Sequence, residues 1–377
     1  MKNSKLIVCS AMALACGAAC AQSSSLTMFG VVDLGAQRTI GGGKGQVDAL
    51  SNGGLSTSRI GFRGKEDLGD GLYSGFWLEG SLNPDTGSGR ASNTNNQTSG
   101  ATPAGGLTFD RMAYVSLGSE SMGEVRLGHD FIPTHYNSIY FDPFNANGVA
   151  RAGNLTFSAV GAGSLPTTIT GSNTISYWLP RGLGGFYGMA MVGSGENPSN
   201  TPTENDGTFA GARFGYTSGP FDVAIAMTQT RYAATSTIGK YTHANLGGTY
   251  DAGFAKFFAL YNTIKVEILG GDVKKDTYEI GAHIPVFQNG KIRLSYARLN
   301  DKSAASLVNG NGSARSGNDA QLIGVGYVHD LSKRTALYAT AARLKNEGQA
   351  NFVVSGGIAP ANGKNSTGME VGLRHLF

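Results

Sequence analysis

Cysteine is missing from all but the first twenty residues of this chain. Only three cysteines occur among the 377 residues, and they are Cys9, Cys16 and Cys20. A disulfide framework, a zinc site with cysteine ligands and a cysteine nucleophile are therefore excluded from everything that follows residue 20.

Charge and long apolar runs are also scarce. Charged residues make up 15% of the chain, against roughly 25% in ordinary soluble domains. A membrane-spanning helix needs about 20 consecutive apolar residues, and no such run follows the N-terminal segment. A membrane-spanning β-strand needs only about ten residues, half of them polar. The composition thus excludes a helical membrane protein and permits a β-barrel.

Net charge and glycine content complete the composition. The formal net charge is only +4, which gives no support to a nucleic-acid partner. Glycine is abundant, with 57 residues, about twice the usual share of roughly 7%.

Residues 1–21 have the pattern of a secretory signal peptide. A basic start is followed by the apolar run 6–15 and by a small-x-small cleavage pattern. We expect the cleaved protein to be a single outer-membrane domain of residues 22–377. Lipidation of Cys16 or Cys20 is the alternative, but neither has leucine three residues before it.

The last eleven residues alternate between apolar and polar side chains. Alternation with period two predicts a strand, and this strand ends the chain on an aromatic residue. In a closed barrel, an aromatic at this place would lie at the membrane boundary. A core strand of a soluble β-domain is the alternative on this stretch alone. The apolar face carries Met369, Val371, Leu373, His375 and Phe377.

Sixteen alternating segments of this kind recur along the chain. They are residues 26–39, 58–68, 72–83, 109–119, 124–131, 173–179, 186–193, 208–217, 221–232, 241–251, 254–264, 276–287, 291–300, 319–331, 334–345 and 367–377.

The connections between these segments alternate in length. Short, turn-like links (69–71, 120–123, 180–185, 219–220, 252–253, 288–290 and 332–333) alternate with long polar ones (40–57, 84–108, 132–172, 194–207, 233–240, 265–275, 301–318 and 346–366). This alternation predicts an all-β, antiparallel up-and-down transmembrane barrel of about sixteen strands, with tight turns at one end and long loops at the other.

Six short motifs follow one another along the whole mature chain. They are residues 26–33 (LTMFGVVD), 58–72 (SRIGFRGKEDLGDGL), 111–117 (RMAYVSL), 123–128 (GEVRLG), 142–144 (DPF) and 372–377 (GLRHLF). In these motifs and their order the chain resembles the general diffusion porins of Gram-negative bacteria, closest to the β-proteobacterial branch.

The resemblance implies a function and partners. It implies a sixteen-stranded barrel in the cell outer membrane, assembled as a homotrimer, that passes small hydrophilic solutes and ions by passive diffusion. The barrel-assembly machinery, outer-membrane lipid and lipopolysaccharide are its expected partners. No cofactor, metal or nucleic acid is expected, and Phe377 is the candidate residue for membrane boundary and assembly.

A channel of this kind needs a narrow, charged place. The longest connection, 132–172, is unusually aromatic, and the resemblance implies that it folds into the lumen and supplies carboxylates to the constriction. Asp142 is our first candidate for that role. A surface loop whose aromatic residues pack on one another is the alternative.

Arginines on the barrel wall are expected to face those acids. Arg59 and Arg111 match the family's arginines, and Arg63 lies on the same strand face as Arg59. The family's third arginine is absent before the sixth strand, where residues 171–174 read GSNT, and Arg151 is its candidate replacement. Inward orientation is supported because an arginine facing lipid at midplane would cost about 2–4 kcal/mol.

Three other polar residues are candidates for the lumen face. They are Glu79, His129 and Asp130, and His129 stands where the family has another arginine. The predicted mechanism is a transverse field between wall arginines and loop carboxylates, with a weak preference for anions.

Two other classes of function can be built on a barrel. A barrel enzyme would need a nucleophile motif, and the chain has neither Gly-x-Ser-x-Gly as a nucleophile elbow nor His-Glu-x-x-His. A substrate-specific channel or an adhesin on the same barrel is the alternative that the sequence leaves open, because loop sequences alone do not exclude it.

The second long connection, 84–108, is polar and rich in Gly, Asn and Thr, which suits contact with a neighbouring subunit. We therefore expect deletion of residues 91–100 to lower the melting temperature of the trimer, measured by heating before gel electrophoresis. An unchanged melting temperature would remove this loop from the assembly.

Overall fold

The computed structural model describes residues 24–101, 106–157 and 165–377. The predicted signal peptide, residues 1–21, lies outside this part of the chain. Among the described residues, no helix combines the length and the hydropathy needed to cross a membrane. Most of the described residues lie in β-strands.

Sixteen strands form the wall within the described part of the chain. They are β1 (Ser24–Gly41), β3 (Arg59–Gly69), β4 (Leu72–Asn83), β6 (Met112–Ser119), β7 (Gly123–Phe131), β8 (Thr170–Trp178), β9 (Phe186–Gly193), β10 (Phe209–Ser218), β11 (Phe221–Thr230), β12 (Lys240–Asp251), β13 (Lys256–Ile268), β14 (Gly271–Val286), β15 (Gly290–Asp301), β16 (Ala320–Asp330), β17 (Thr335–Asn346) and β18 (Ser366–Leu376).

Shorter elements lie in the long connections. Two further strands are β2 (Gly45–Asn52) and β5 (Ser88–Gly89), and two helices are α1 (Pro133–Phe141) and α2 (Gly153–Thr156). Single 3-10 turns occupy Thr98–Gly100, Pro166–Thr168 and Arg315–Gly317.

The wall closes between its first and last strands. Every pairing of consecutive wall strands is antiparallel, and β18 returns to pair with β1 from Leu376 beside Val31 to Ser366 beside Gly41. The chain terminus completes this seam, because Phe377 and Gly30 exchange both backbone hydrogen bonds, at 3.1 and 3.0 Å. A closed barrel has no free sheet edge, so every strand has two neighbours.

The predicted barrel is thus confirmed, and its loops differ in two places. The connection predicted at 265–275 is a tight turn at residues 269–270, because β13 and β14 extend as a hairpin beyond the predicted strand ends. The connection predicted at 40–57 contains β2, which pairs with the second half of β1. β2 is exposed over most of its length and carries too little apolar alternation for a period-two search to find. The end of β13 does alternate, because Ile264 and Val266 are buried while Lys265 and Glu267 are not, so the predicted strand ends too early.

The wall has one apolar face and one polar face. In β11, Val223, Ile225 and Met227 are about half exposed, whereas Ala224 and Thr228 on the opposite face are buried. The same alternation continues in β18, where Val371 is 63% exposed and its neighbour Glu370 is 2% exposed. A continuous apolar band of this kind is typical of a surface that faces lipid. The opposite face of the wall is called the inner face below.

Residues 132–157, which follow β7, pack against the inner face. Glycines of four wall strands leave room for this segment, since a Cβ at any of them would overlap its side chains. These close approaches place each loop residue over a particular strand. The pairs are Gly247 with Phe141, Gly281 with Pro143, Gly324 with Ala150, Gly326 with Phe144 and Gly368 with Val149.

The connection between β4 and β6 packs against its own chain. The side chain of Asn96 donates to the carbonyl oxygens of Ser172 and Ser194 at 2.9 and 3.0 Å. The Tyr232 hydroxyl donates to the Asn96 carbonyl oxygen at 2.8 Å. This part of the loop therefore lies over β8 and β9, and its predicted contact with a neighbouring subunit stays a prediction.

The glycine contacts predict a stability effect. A leucine at Gly324 would overlap Ala150, whose Cβ lies 2.5 Å from the position of the added Cβ. Overpacking of this kind costs about 1–3 kcal/mol, so we expect Gly324→Leu to lower the thermal unfolding temperature. Gly310→Leu is the matched control, because nothing lies within 4 Å of a Cβ at Gly310. Equal unfolding temperatures for the two variants would contradict this packing.

Candidate functional site

A cavity of about 370 Å³ lies between one side of the inward-packed loop and the wall. Loop residues from His135 to Asn147 form one side. The other side consists of wall residues of β3, β15, β16 and β18, with residues 55–57 before β3 and Arg111 before β6. We call it the basic cavity, since five of its lining residues are basic and one is acidic. The basic residues are Arg59, Arg111, Lys291, Arg293 and Arg374, and the acidic residue is Asp330.

Two of the predicted arginines meet in this cavity. Arg59 begins β3 and Arg111 immediately precedes β6, and both contact the carboxylate of Glu79 on the strand between them. The Arg59 Nε lies 3.4 Å from the Glu79 Oε1. Glu79 is only 3% exposed, so its carboxylate interacts with these two guanidinium groups and hardly with solvent. The Trp77 indole also donates to its Oε2 at 3.2 Å.

Arg63 lies in a different place. Its guanidinium carbon is 5.3 Å from the centre of the Trp77 ring and 5.5 Å from that of Phe29. It lines a second cavity, nearer the short turns. Arg63 shares a strand face with Arg59, but four residues along a strand separate the two side chains by about 13 Å.

Asp142 is buried, with 1% of its surface exposed. Its two oxygens accept backbone N–H groups of the loop, one from Phe144 at 2.6 Å and one from Ala152 at 3.1 Å. Burial raises the pKa of this carboxyl above its usual range, and the buried Glu279 of β14 lies close to it. In this position Asp142 joins the two halves of the loop to each other.

Arg151 also lies within the loop. Its Nε donates to the Asn154 side-chain oxygen at 3.1 Å, just before α2. Arg151 does not line the basic cavity, whose loop side consists of residues between His135 and Asn147. The structure therefore does not bring it together with Arg59 and Arg111.

His129 and Asp130 lie at a β-bulge in β7. The bulge shifts the pairing with β8 between Gly128 and Asp130. His129 contacts the Ser172 hydroxyl at 2.8 Å and the Asp110 carbonyl oxygen at 3.0 Å. Asp130 is 1% exposed and accepts the Tyr136 hydroxyl at 2.9 Å. Both residues thus hold the start of the loop in place.

Three basic residues of the cavity were missed in the sequence. Lys291 and Arg293 lie on one face of β15, and Arg374 lies on the polar face of β18. Arg293 is 2% exposed and donates from Nε to the Pro143 carbonyl oxygen at 2.9 Å, with its guanidinium 4.4 Å from the Phe144 ring centre. The alternation of Lys291 and Arg293 with Ile292 and Leu294 could have predicted that the two basic residues face away from lipid.

The charge of the basic cavity stays positive over a broad pH range. Burial lowers the pKa of His135 to about 3, so this imidazole is neutral near pH 7. The single acid, Asp330, lies 3.9 Å from Arg374. Five cations thus face one carboxylate on the cavity surface, with Glu79 as a buried partner of two of them.

The position of Asp142 predicts different effects for two substitutions. Asp142→Ala leaves the Phe144 and Ala152 amides without their acceptor, which should destabilise the fold by about 1–3 kcal/mol. Asp142→Asn retains one of the two acceptor oxygens and places an NH2 group against the other backbone N–H, so we expect a smaller loss than in the alanine variant. Thermal unfolding of both variants measures this difference. Equal destabilisation by both would contradict the assigned contacts.

Comparisons with known proteins agree with this architecture. The family described as Gram-negative porin matches residues 8–349. Outer membrane porin protein 32 of Delftia acidovorans is 35% identical over 381 residues, which cover 99% of each chain. The solved structure of an anion-selective porin from Comamonas acidovorans has 33% identity and a TM-score of 0.79, and the match covers 94% of this chain and 100% of that one.

More distant structures share the fold. The trimer form of OmpT from Vibrio cholerae has 14% identity and a TM-score of 0.62, over 94% of this chain and 100% of its own. The sequence similarity extends along nearly the whole chain. It agrees with the closed wall, the apolar outer band and the inward-packed loop of the structure. This chain belongs to the Gram-negative porin family.

Proposed function

We propose that this outer-membrane porin channel prefers anions weakly and that the basic cavity sets the preference. The observation that carries the proposal is the lining of that cavity, five basic side chains against one acidic side chain. The protein named for anion selectivity among the similar structures supports the same preference. Small hydrophilic solutes and ions pass by diffusion, and no chemical step is involved.

The mechanism follows from where the charges lie. Residues 132–157 pack against the inner face, and we propose that they narrow the lumen at the basic cavity. Charges in a narrow space with low-dielectric walls act more strongly than in bulk water and raise the local concentration of the opposite ion. Exposed charges are screened by salt, so the preference should weaken as ionic strength rises.

We assign different roles to the predicted constriction residues. Arg59 and Arg111 face the solute, while Glu79 fixes their positions and reduces their net charge. Asp142 acts as a positioning residue that holds the loop, in place of the solute-facing carboxylate expected from the sequence. Selection in this arrangement comes mainly from the basic wall.

Assembly is a further part of the proposal. We propose a homotrimer whose subunits meet through the apolar outer band, since OmpT has a solved trimer form. Cleavage before Gln22, insertion by the barrel-assembly machinery and contact of the long loops with lipopolysaccharide complete the expected pathway. The seam between Phe377 and Gly30 gives the terminal residue a direct part in closing the barrel.

Planar-bilayer recording under a potassium chloride gradient tests the anion preference. The reversal potential of the native trimer should have the sign of chloride permeation. Arg59→Gln and Arg374→Gln should each lower the chloride-to-potassium permeability ratio, by a factor of roughly two at low salt, because a charge that is only partly screened is lost. Glu79→Gln should shift the ratio the other way.

Lys44→Gln is the matched control, since it removes the same charge from the exposed turn between β1 and β2. A cation-selective native channel would overturn the proposal. Equal shifts from Lys44→Gln and Arg59→Gln would likewise contradict the assignment to the basic cavity. Absence of conductance steps from folded trimer would leave the adhesin alternative in first place.

A further inference from the structure

The second cavity differs from the basic cavity in its chemistry. It has a volume of about 900 Å³ and lies along β3 to β8, toward the short turns that join these strands. The chain has only two tryptophans, and both line it. We call it the aromatic cavity, and its characteristic residues are Arg63, Lys65, Tyr73, Trp77, Arg126 and Trp178.

Cations and rings alternate on the surface of the aromatic cavity. The Lys65 Nζ lies 3.9 Å from the Tyr73 ring centre. The Arg126 guanidinium lies 4.1 Å from the Trp178 ring centre, and Arg63 lies 5.3 Å from that of Trp77. A cation within about 6 Å of an aromatic face is attracted to it, so the rings hold these basic side chains against the wall.

The cations differ in whether a carboxylate neutralises them. Arg126 has two acidic partners, Glu124 at 3.0 Å and Asp130 at 3.4 Å. Arg63, Lys65 and Arg181 are exposed, and none of them has a carboxylate within ion-pair distance among the described residues. The remaining acid of the lining, Glu120, is also exposed. Arg63 lies over the half-buried Trp77 indole, and Lys65 lies over the Tyr73 ring.

We propose that the aromatic cavity is a weak binding site for aromatic carboxylates, that is, for a single planar ring bearing one carboxylate group. The carboxylate takes Arg63 and Lys65, which lie beside the rings, as its partners. The ring lies against the Trp77 indole and the guanidinium planes, which offer flat, polarisable faces. Inorganic anions have no ring, so they can contact only the cations.

The size of the cavity makes the binding transient. A volume of about 900 Å³ far exceeds one benzoate ion, so a bound molecule stays in contact with water and can leave. The site therefore retains aromatic carboxylates near one mouth of the lumen without closing the channel. This inference rests on the proposed function only in requiring an open, water-filled lumen.

Tryptophan fluorescence of the detergent-solubilised native trimer tests the proposal, because both tryptophans line the aromatic cavity. Benzoate, cyclohexanecarboxylate and acetate are titrated at constant ionic strength, with excitation at the red edge of tryptophan absorption. We expect a saturable change with benzoate and a half-saturating concentration about ten-fold lower than for acetate, as ring contacts of this kind provide. Cyclohexanecarboxylate should fall between them.

Variants locate the site. Arg63→Gln removes one unneutralised cation and should raise the half-saturating benzoate concentration several-fold, whereas Lys44→Gln in the exposed turn between β1 and β2 should not change it. Trp77→Phe should remove most of the fluorescence response, while Trp178→Phe should retain part of it. A benzoate response that is identical in Arg63→Gln and in the native protein would overturn the assignment.

Two results separate this inference from the proposed function. A linear, unsaturable response to benzoate in a preparation with anion-selective conductance would overturn the aromatic-carboxylate site alone. Saturable benzoate binding that Arg63→Gln weakens, in a channel with a cation-selective reversal potential, would support this site and contradict the anion preference of the basic cavity.

Discussion

Lipid offers no hydrogen-bond partner to a peptide group, and this constraint shapes the whole molecule. A wall of strands that faces lipid must pair every backbone group with a neighbouring strand, so it has to close. The seam between β1 and β18 accomplishes that closure, with Phe377 bonded to Gly30 at its end. Closure in turn creates an inner face, on which polar and charged side chains can be kept away from lipid.

The inner face is then divided by a single inward-packed segment. Glycines on four strands admit residues 132–157, and Asp142, Arg293 and Asp130 bind that segment through its backbone and side chains. The segment leaves the basic cavity between itself and the wall and the aromatic cavity nearer the short turns. The two cavities use different chemistry because different strands supply their lining.

Much of this architecture could be predicted because period-two alternation is a local signal. All sixteen wall strands, the alternation of short and long connections and the shared face of Arg59 and Arg63 follow from it. The hairpin formed by the end of β13 and the start of β14 was missed although Ile264, Val266 and Val273 give it a buried apolar face. Alternation shows which residues share a face, but it does not fix where a strand ends.

The candidate site was harder to predict from the sequence, because it depends on contacts between segments that are distant in the chain. Alternation gives the face of a strand but not the depth at which a side chain lies, so Arg63 was grouped with Arg59. Asp142 could not be distinguished from a solute-facing carboxylate, since its partners are backbone amides. The same alternation predicts that Lys291, Arg293 and Arg374 lie on the polar face of the wall. Only the folded structure shows that they lie opposite the loop.

We propose that permeating anions meet the basic wall opposite residues 132–157. Anomalous diffraction from crystals of the native protein equilibrated with bromide locates these anions, because bromide substitutes for chloride and is identified by its own scattering. We expect bromide peaks beside Arg59, Arg111 and Arg374. Bromide peaks confined to the outer loops, with rubidium peaks in the basic cavity of parallel crystals, would contradict it.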